Sequence, residues 1–186
     1  MDPKILTDNA TILKNIPRTG WLQRGVPPAV AETVAEHSFE VASILAIIAM
    51  ESGSGLNKEK LLLMGTIHDW GEAVAGDIPR SLTTRLGKGT KSRAEREIMN
   101  ELSDASGIAN LAKIFEEYEE RRTDEAVIAK IADVLSTQRQ AAAYAQSGYL
   151  VQDILDGCKE ELDGLIGRIK DRKILGIFDK LIRQQE

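Results

Sequence analysis

The sequence predicts an all-α protein, because its apolar residues follow the period of a helix. Alanine, leucine, isoleucine, glutamate and lysine recur at helical spacing through most of the chain. Aromatic residues make up only 4% of the 186 residues, and alternating runs of β-branched residues are missing. A chain of this length fits one domain and can bury a substantial core. We therefore expect a single-domain helical bundle.

The periodicity predicts helices along most of the chain, and several helix ends have a physical cause. Asn57 and Thr123 directly precede two predicted helices and belong to the residue types that cap helix N-termini. Gly53, Gly107 and Gly148 stand where a residue with left-handed backbone ends a helix. The predicted ranges are about 5–15, 33–52, 58–75, 91–105, 108–121, 124–146, 150–169 and 172–184.

Two stretches are predicted to be irregular. The first, 16–33, contains three prolines and two glycines, too many for a helix, and also carries Arg18 and Trp21. The second, 77–91, is basic and contains glycine, and Pro79 disfavours helical backbone at the residue before it. Loops of this kind carry function when a rigid helical scaffold holds them.

Composition and charge exclude several classes of protein. The formal net charge is −5 and the basic residues are scattered, so a nucleic acid polymer finds no general attraction. The longest apolar run, 41–50, is far short of the roughly 20 residues that cross a membrane. The N-terminal residues do not resemble a signal peptide, and the single cysteine, Cys158, has no partner for a disulfide within the chain. We expect a cytoplasmic protein, and a small phosphorylated ligand needs only one or two basic side chains.

Polar side chains interrupt an apolar segment within the predicted helix 58–75. On a helix, His68, Asp69 and Glu72 are separated by three and four residues, so their side chains can converge on one point. A lone histidine in such a segment is more often a satisfied core residue. An unpaired buried carboxylate is costly, however, and no lysine or arginine lies between residues 64 and 79 to neutralise Asp69. A cation from elsewhere in the protein or a metal ion must do so.

Two further apolar helices carry polar residues in the same way. His37 lies in the predicted helix 33–52, and Asp133 lies in the predicted helix 124–146. Together with His68 and Asp69 they form a mixed nitrogen and oxygen ligand set, which suits a first-row divalent metal such as Mn, Co, Fe, Ni or Zn.

This order of residues resembles the HD superfamily of metal-dependent phosphohydrolases, whose signature is a histidine, a His-Asp pair and a distant aspartate. Five stretches occur in the order and approximate spacing of its 5′-deoxynucleotidase branch: PRTGW, ETVAEHSFEVA, HDWGEAVAGDIP, KSRAERE and KIADVLSTQRQA. The resemblance covers roughly 18–144, and the C-terminal helices at about 150–184 add no motif. It implies one HD-type domain over 1–186, with the metal site between core helices.

The resemblance implies roles for the residues of the metal site. His37, His68, Asp69 and Asp133 would bind one divalent metal ion, with Mg added to the metals named above, and Glu72 would handle protons. The chain has only two histidines, so none remains to hold a second metal ion as in the dinuclear members of the superfamily.

The resemblance also implies three substrate contacts, each with a structural alternative. Arg18 would bind the phosphate, Asp77 the 3′-hydroxyl of a deoxyribose, and Trp21 would help to close the site against a ribose 2′-hydroxyl. The alternatives are a surface charge for Arg18, a turn-forming role for Asp77 and a core anchor for Trp21. In the bacterial enzymes the arginine and tryptophan are adjacent, whereas Thr19 and Gly20 lie between them here. This departure affects the predicted selectivity for deoxyribose more than the predicted chemistry.

The sequence therefore predicts a phosphomonoesterase that hydrolyses 2′-deoxyribonucleoside 5′-monophosphates to deoxynucleoside and phosphate. The alternatives are a nucleotide pyrophosphohydrolase or triphosphohydrolase, and a non-catalytic metal- or nucleotide-binding protein. Glu72 argues against a purely structural metal site. Lys91 and Glu95 match the branch but equally form a helix-surface ion pair. The family commonly forms homodimers, and the apolar C-terminal helices either form such an interface or complete the core.

Overall fold

The computed structural model describes residues 1–53 and 55–183, and in this part of the chain the fold is all-α, as predicted. One isolated antiparallel bridge joins Pro17 and Thr33. No helix among the described residues is long and apolar enough to cross a membrane. The described residues form eleven helices, which are α1 (Lys4–Leu13), α2 (Thr19–Leu22), α3 (Val34–Glu51), α4 (Lys58–Ile67), α5 (Glu72–Ala75), α6 (Arg80–Leu86), α7 (Lys88–Ser106), α8 (Asn110–Glu120), α9 (Asp124–Gln146), α10 (Gln152–Ile166) and α11 (Arg172–Arg183).

The predicted continuous helix 58–75 is wrong, because the helix ends at Ile67. The His68 N–H still bonds to the carbonyl four residues back, but the N–H groups of Trp70 and Glu72 bond to carbonyls three residues back. This tighter pattern is a turn rather than an α-helix. The turn, and not one continuous helix face, sets the relative positions of His68, Asp69 and Glu72.

The prediction of an irregular stretch over 77–91 holds only for residues 77–79, because α6 and the start of α7 occupy most of the rest. Pro79 precedes α6 in extended backbone and begins a helix instead of ending one. The described side chains of α6 include no buried residue, so this helix leaves no apolar period in the sequence. Gly87, with a φ of 85°, separates α6 from α7.

The predicted irregular stretch 16–33 is confirmed apart from the single turn of α2. Its two ends lie side by side, because the Arg18 N–H donates to the Glu32 carbonyl at 2.9 Å and the Val34 N–H donates to the Ile16 carbonyl at 2.9 Å. The segment is therefore a closed loop, which we call the 16–33 loop.

Most of the predicted helix ends are confirmed. The side chains of Asn57 and Thr123 each accept a hydrogen bond from the backbone N–H three residues later. Gly107 and Gly148 have left-handed backbone, with φ of 79° and 89°. Gly53 does not, because α3 ends in extended backbone before it.

The core forms where α3, α4 and α9 pack against one another, with the other long helices around them. The C-terminal helices complete this core, since α10 buries Leu162 and α11 buries Phe178 within the same cluster. A smaller cluster, which includes Trp21 and Tyr144, holds the 16–33 loop against the end of α9. The two helices that bring His37 and Asp133 into the interior are thus anchored in this core, although α3 also has an exposed face that includes Phe39.

Candidate metal and substrate site

Two histidines and one aspartate converge in the centre of the bundle. His37 lies on α3, while His68 and Asp69 lie in the turn after α4. Asp69 Oδ2 is 3.2 Å from His68 Nε2 and 3.7 Å from His37 Nε2. One ligand atom from each of the three residues lies within 4.8 Å of the other two, the arrangement that a bound metal ion requires.

The hydrogen bonds of His68 leave one ring nitrogen for a ligand. Its Nδ1 lies 3.0 Å from the Gly65 carbonyl, which can only accept, so the hydrogen is assigned to Nδ1. Nε2 is buried and, apart from its 3.2 Å contact with Asp69 Oδ2, has no hydrogen-bond partner among the described residues. A histidine held through one nitrogen and aimed with the other at a carboxylate fits a metal ligand.

Asp69 is half-buried, and its carboxylate lies next to both histidine rings. Burial acts to raise the pKa of Asp69, but the charge and hydrogen bond of His68, and then the charge of His37, lower it well below its ordinary value. The carboxylate is ionised and suited to bind a cation. The sequence predicts that a distant cation or a metal ion neutralises this charge. In the structure the two histidines contact the carboxylate, and neutralisation by a metal ion stays a prediction.

Asp133 contacts the cluster through one oxygen only. Its Oδ1 is 3.0 Å from His37 Nε2, while its Oδ2 accepts hydrogen bonds from Tyr118 at 3.0 Å and Lys130 at 2.7 Å. Burial acts to raise the pKa of Asp133, but the Lys130 charge and the bond to His37 hold it well below its ordinary value. One oxygen is thus fixed by protein partners and the other faces the histidines.

Glu72, at the start of α5, is a buried carboxyl group. Its side chain is only 6% exposed, and Oε2 has no hydrogen-bond partner among the described residues. Burial raises the pKa of Glu72 well above its ordinary value, and the charges of Asp69 and Asp77 add to this effect. A buried carboxyl group whose pKa is raised in this way suits a proton donor.

Arg18, on the 16–33 loop, directs one arm of its guanidinium at the cluster. Nη1 lies 3.0 Å from His37 Nδ1, 3.1 Å from Thr137 Oγ1 and 3.6 Å from Glu32 Oε2. Burial acts to lower the pKa of Arg18, but Glu32, Asp69 and other carboxylates raise it, so the side chain is always charged. Nη2 and Nε make no hydrogen bond to the described residues. The alternative of a surface charge is wrong, because this cation is largely buried.

Trp21 is an anchor of the smaller apolar cluster. Its side chain is 2% exposed, its ring packs edge-on against Tyr144 with centroids 5.1 Å apart, and its Nε1 donates to Glu32 Oε2 at 2.9 Å. The Arg18 guanidinium carbon lies 6.0 Å from the centre of the indole. Trp21 is therefore a core anchor, the structural alternative to a substrate contact, and it supports the loop beneath Arg18.

Asp77 connects the turn after α5 to the 16–33 loop. Its Oδ2 accepts a hydrogen bond from the Thr19 N–H, and its backbone carbonyl accepts one from Thr19 Oγ1 at 2.9 Å. The residue therefore organises the start of α2 as well as its own turn. Its contact with a sugar hydroxyl stays a prediction.

The pair formed by Lys91 and Glu95 is not a solvated surface pair. Their charged groups lie 3.2 Å apart on α7, and their side chains are 24% and 16% exposed. Burial acts to lower the pKa of Lys91, but Glu95, Glu72 and Asp69 raise it. The electrostatic influence of Glu72 and Asp69 places this lysine close to the candidate site.

The comparisons with known proteins show which family the chain belongs to. The sequence model of the HD domain matches residues 10–155, so the chain belongs to the HD domain family, a family of metal-dependent phosphohydrolases. The predicted membership is confirmed. Among curated proteins, the chain is similar to the mouse (Mus musculus) protein 5′-deoxynucleotidase HDDC2, with 28% identity over 162 residues that cover 86% of this chain and 70% of that protein.

Two solved structures from archaea share the whole fold. A conserved hypothetical protein from Pyrococcus furiosus is 36% identical with a TM-score of 0.80, covering 96% of this chain and 98% of that one. The PH0347 protein from Pyrococcus horikoshii is 30% identical with a TM-score of 0.77, covering 97% and 98%. The helical bundle described above is therefore one that other proteins of this family adopt.

Proposed function

We propose that this protein is a divalent-metal-dependent phosphomonoesterase that hydrolyses 2′-deoxyribonucleoside 5′-monophosphates to deoxynucleoside and phosphate. The observation that carries the proposal is the convergence of His37, His68 and Asp69 on one point. The buried Glu72, whose pKa is raised by burial and by the charge of Asp69, adds a candidate proton donor. The similarity to a protein named 5′-deoxynucleotidase supports the substrate class.

One divalent metal ion is held by His37, His68, Asp69 and Asp133 in this proposal. Imidazole and carboxylate ligands suit Mn, Co, Fe, Ni or Zn, and Mg is a weaker candidate because it prefers an all-oxygen shell. When bound, such an ion supplies a Lewis acid that activates water and stabilises negative charge on phosphoryl oxygens. The buried His68 Nε2, which is aimed at the Asp69 carboxylate and has no other hydrogen-bond partner among the described residues, is the observation that supports the fit.

Arg18 binds the substrate phosphate. Its Nη1 is occupied by protein contacts, so Nη2 and Nε form the free edge of the planar guanidinium, which matches two phosphate oxygens. Burial keeps water from screening this charge.

Glu72 delivers a proton to the leaving 5′-oxygen. A carboxyl group whose pKa is raised by burial still holds its proton where an ordinary glutamate is ionised. The leaving nucleoside alkoxide is strongly basic, so proton transfer to it lowers the barrier.

The sugar is recognised by Asp77 and Trp21. Asp77 accepts a hydrogen bond from the 3′-hydroxyl, for which an ionised carboxylate is a pure acceptor. Trp21 supports the wall that limits space for a ribose 2′-hydroxyl, and its burial beneath Arg18 fixes that wall.

A panel of nucleotides tests the proposal. Metal-loaded protein should release phosphate from deoxynucleoside 5′-monophosphates and act weakly on the matching ribonucleotides. Release of pyrophosphate or triphosphate, with no action on monophosphates, would assign the protein to the pyrophosphohydrolases or triphosphohydrolases. Metal binding without any turnover would support a non-catalytic binding protein.

The proposal also includes a cytoplasmic location, as the sequence predicts, and a homodimer, on the basis of the resemblance. Leu162, Leu165, Ile174 and Phe178 of α10 and α11 lie in the core, so a dimer interface does not use these four residues. Light scattering on the purified protein measures the oligomeric state directly.

A further inference from the structure

Glu32 is a buried carboxylate at the end of the 16–33 loop, directly before the first residues of α3. Its side chain is 7% exposed. Its backbone is held from both sides, because its carbonyl accepts from the Arg18 N–H at 2.9 Å and its N–H donates to Tyr144 OH at 2.8 Å. The carboxylate therefore sits in a fixed place.

The Glu32 carboxylate contacts both predicted substrate residues on the loop. Oε2 accepts a hydrogen bond from Trp21 Nε1 at 2.9 Å and lies 3.6 Å from Arg18 Nη1. Oε1 lies 3.9 Å from His37 Nδ1, at the edge of the metal cluster. One side chain thus touches the indole, the guanidinium and the ring of a metal-ligand candidate.

We propose that Glu32 is the positioning residue that holds Arg18 in its phosphate-binding orientation; this inference rests on the proposed function. Glu32 draws Nη1 toward the protein, and Nη2 and Nε are left to face the substrate. Trp21 is fixed by the same oxygen and supports the guanidinium from one side.

The electrostatics of the site explain why Arg18 needs such an anchor. The charges of Asp69, Asp133 and Asp77 also act on Arg18. Without the Glu32 charge, the guanidinium is drawn toward those carboxylates, where it pairs with the metal ligands instead of the phosphate. A buried cation that loses its partner pairs with whatever carboxylate it can reach.

The test compares Glu32→Gln with wild type in metal-loaded protein. Steady-state kinetics measure KM and kcat for a deoxynucleoside monophosphate, and calorimetry measures the Kd of inorganic phosphate. We expect KM and Kd to rise by about ten- to a hundredfold, the range for outer partners of ligand-binding groups, while kcat falls much less. Glu36→Gln is the matched control, because Glu36 is exposed and glutamine preserves its helix-capping role.

A double-mutant cycle distinguishes positioning from a general effect on the fold. If Glu32 acts through Arg18, adding Glu32→Gln to Arg18→Ala changes the phosphate Kd little further. Additive losses, or wild-type KM and Kd in a folded Glu32→Gln protein, would overturn the inference. If Glu32→Gln does not fold, Glu32→Asp carries the test, since its shorter side chain should raise KM to a smaller extent.

The phosphate measurement keeps this inference separate from the proposed function. A wild-type protein that hydrolyses no monophosphate contradicts the proposed function, yet its phosphate Kd still reports on Arg18. A wild-type protein that is active, with unchanged phosphate Kd in Glu32→Gln, contradicts only the role of Glu32.

Discussion

Replacing Glu72 by glutamine removes the acidic proton of this side chain while keeping its size. In the metal-free protein the carboxyl is buried and its Oε2 has no hydrogen-bond partner among the described residues. Because burial raises the pKa of Glu72, the folded state favours the neutral form. Wild-type stability is therefore full below the ordinary glutamate value of about 4.3 and falls as the pH rises from there toward the raised pKa.

The expected effect follows from ionisation, because glutamine keeps the same buried oxygen as the neutral carboxyl but cannot lose a proton. A tenfold change in an acid dissociation constant corresponds to about 1.4 kcal/mol. Since burial raises the pKa of Glu72 well above its ordinary value, Glu72→Gln should match wild type near pH 4 and exceed its free energy of unfolding at pH 8 by on the order of 1 kcal/mol or more. Urea denaturation of the metal-free proteins across this pH range measures the difference.

The same substitution should abolish turnover. Loss of a positioned proton donor lowers kcat by about 10²–10⁴-fold, with metal content unchanged by elemental analysis. If Glu72→Gln is more stable than wild type at high pH and is also inactive, then Glu72 lowers the stability of the fold but is needed for catalysis. Wild-type kcat in a metal-loaded Glu72→Gln protein would refute the reasoning.

The remaining predictions concern packing, charge and metal removal. Gly65→Ala should destabilise the fold by about 1–3 kcal/mol, because its Cβ would lie 2.4 Å from the buried Leu45 Cδ1; Gly164→Ala on α10, where a Cβ meets nothing within 4 Å, is the control. Lys130→Met removes the 2.7 Å partner of the Asp133 carboxylate and should cost about 3 kcal/mol in urea denaturation; an unchanged midpoint would show that this pair contributes nothing. Chelation with EDTA should abolish activity and lower the Tm of the metal-loaded protein, and added divalent metal should restore both; activity that survives dialysis against EDTA would contradict a metal requirement.

The fold class and the residues of the metal cluster follow from local patterns in the sequence. Helical periodicity over α3, α4 and α9 is strong because these helices bury their residues in the core. His37, His68 and Asp69 stand out because they are polar residues in those apolar segments. The structure brings these three together, and Asp133 joins them through its contact with His37.

The features that were missed depend on contacts between distant parts of the chain or on exposed helices. Helix α6 buries none of its described residues, so periodicity could not reveal it. The turn at His68 interrupts a segment whose composition still favours a helix. Tyr118 and Lys130 bond to Asp133, and Glu32 bonds to Trp21. An acidic residue in a loop gives no local signal that it will be buried against an arginine.

Phosphate release from a deoxynucleoside 5′-monophosphate, measured before and after removal of divalent metal, tests the central claim most directly. The account predicts release by the metal-loaded protein, loss of release after chelation and recovery when Mn²⁺ or Co²⁺ is added. Metal-loaded Glu72→Gln should release phosphate about 10²–10⁴-fold more slowly than wild type. Absence of release from every deoxynucleoside monophosphate by protein that elemental analysis shows to contain a divalent metal would contradict it.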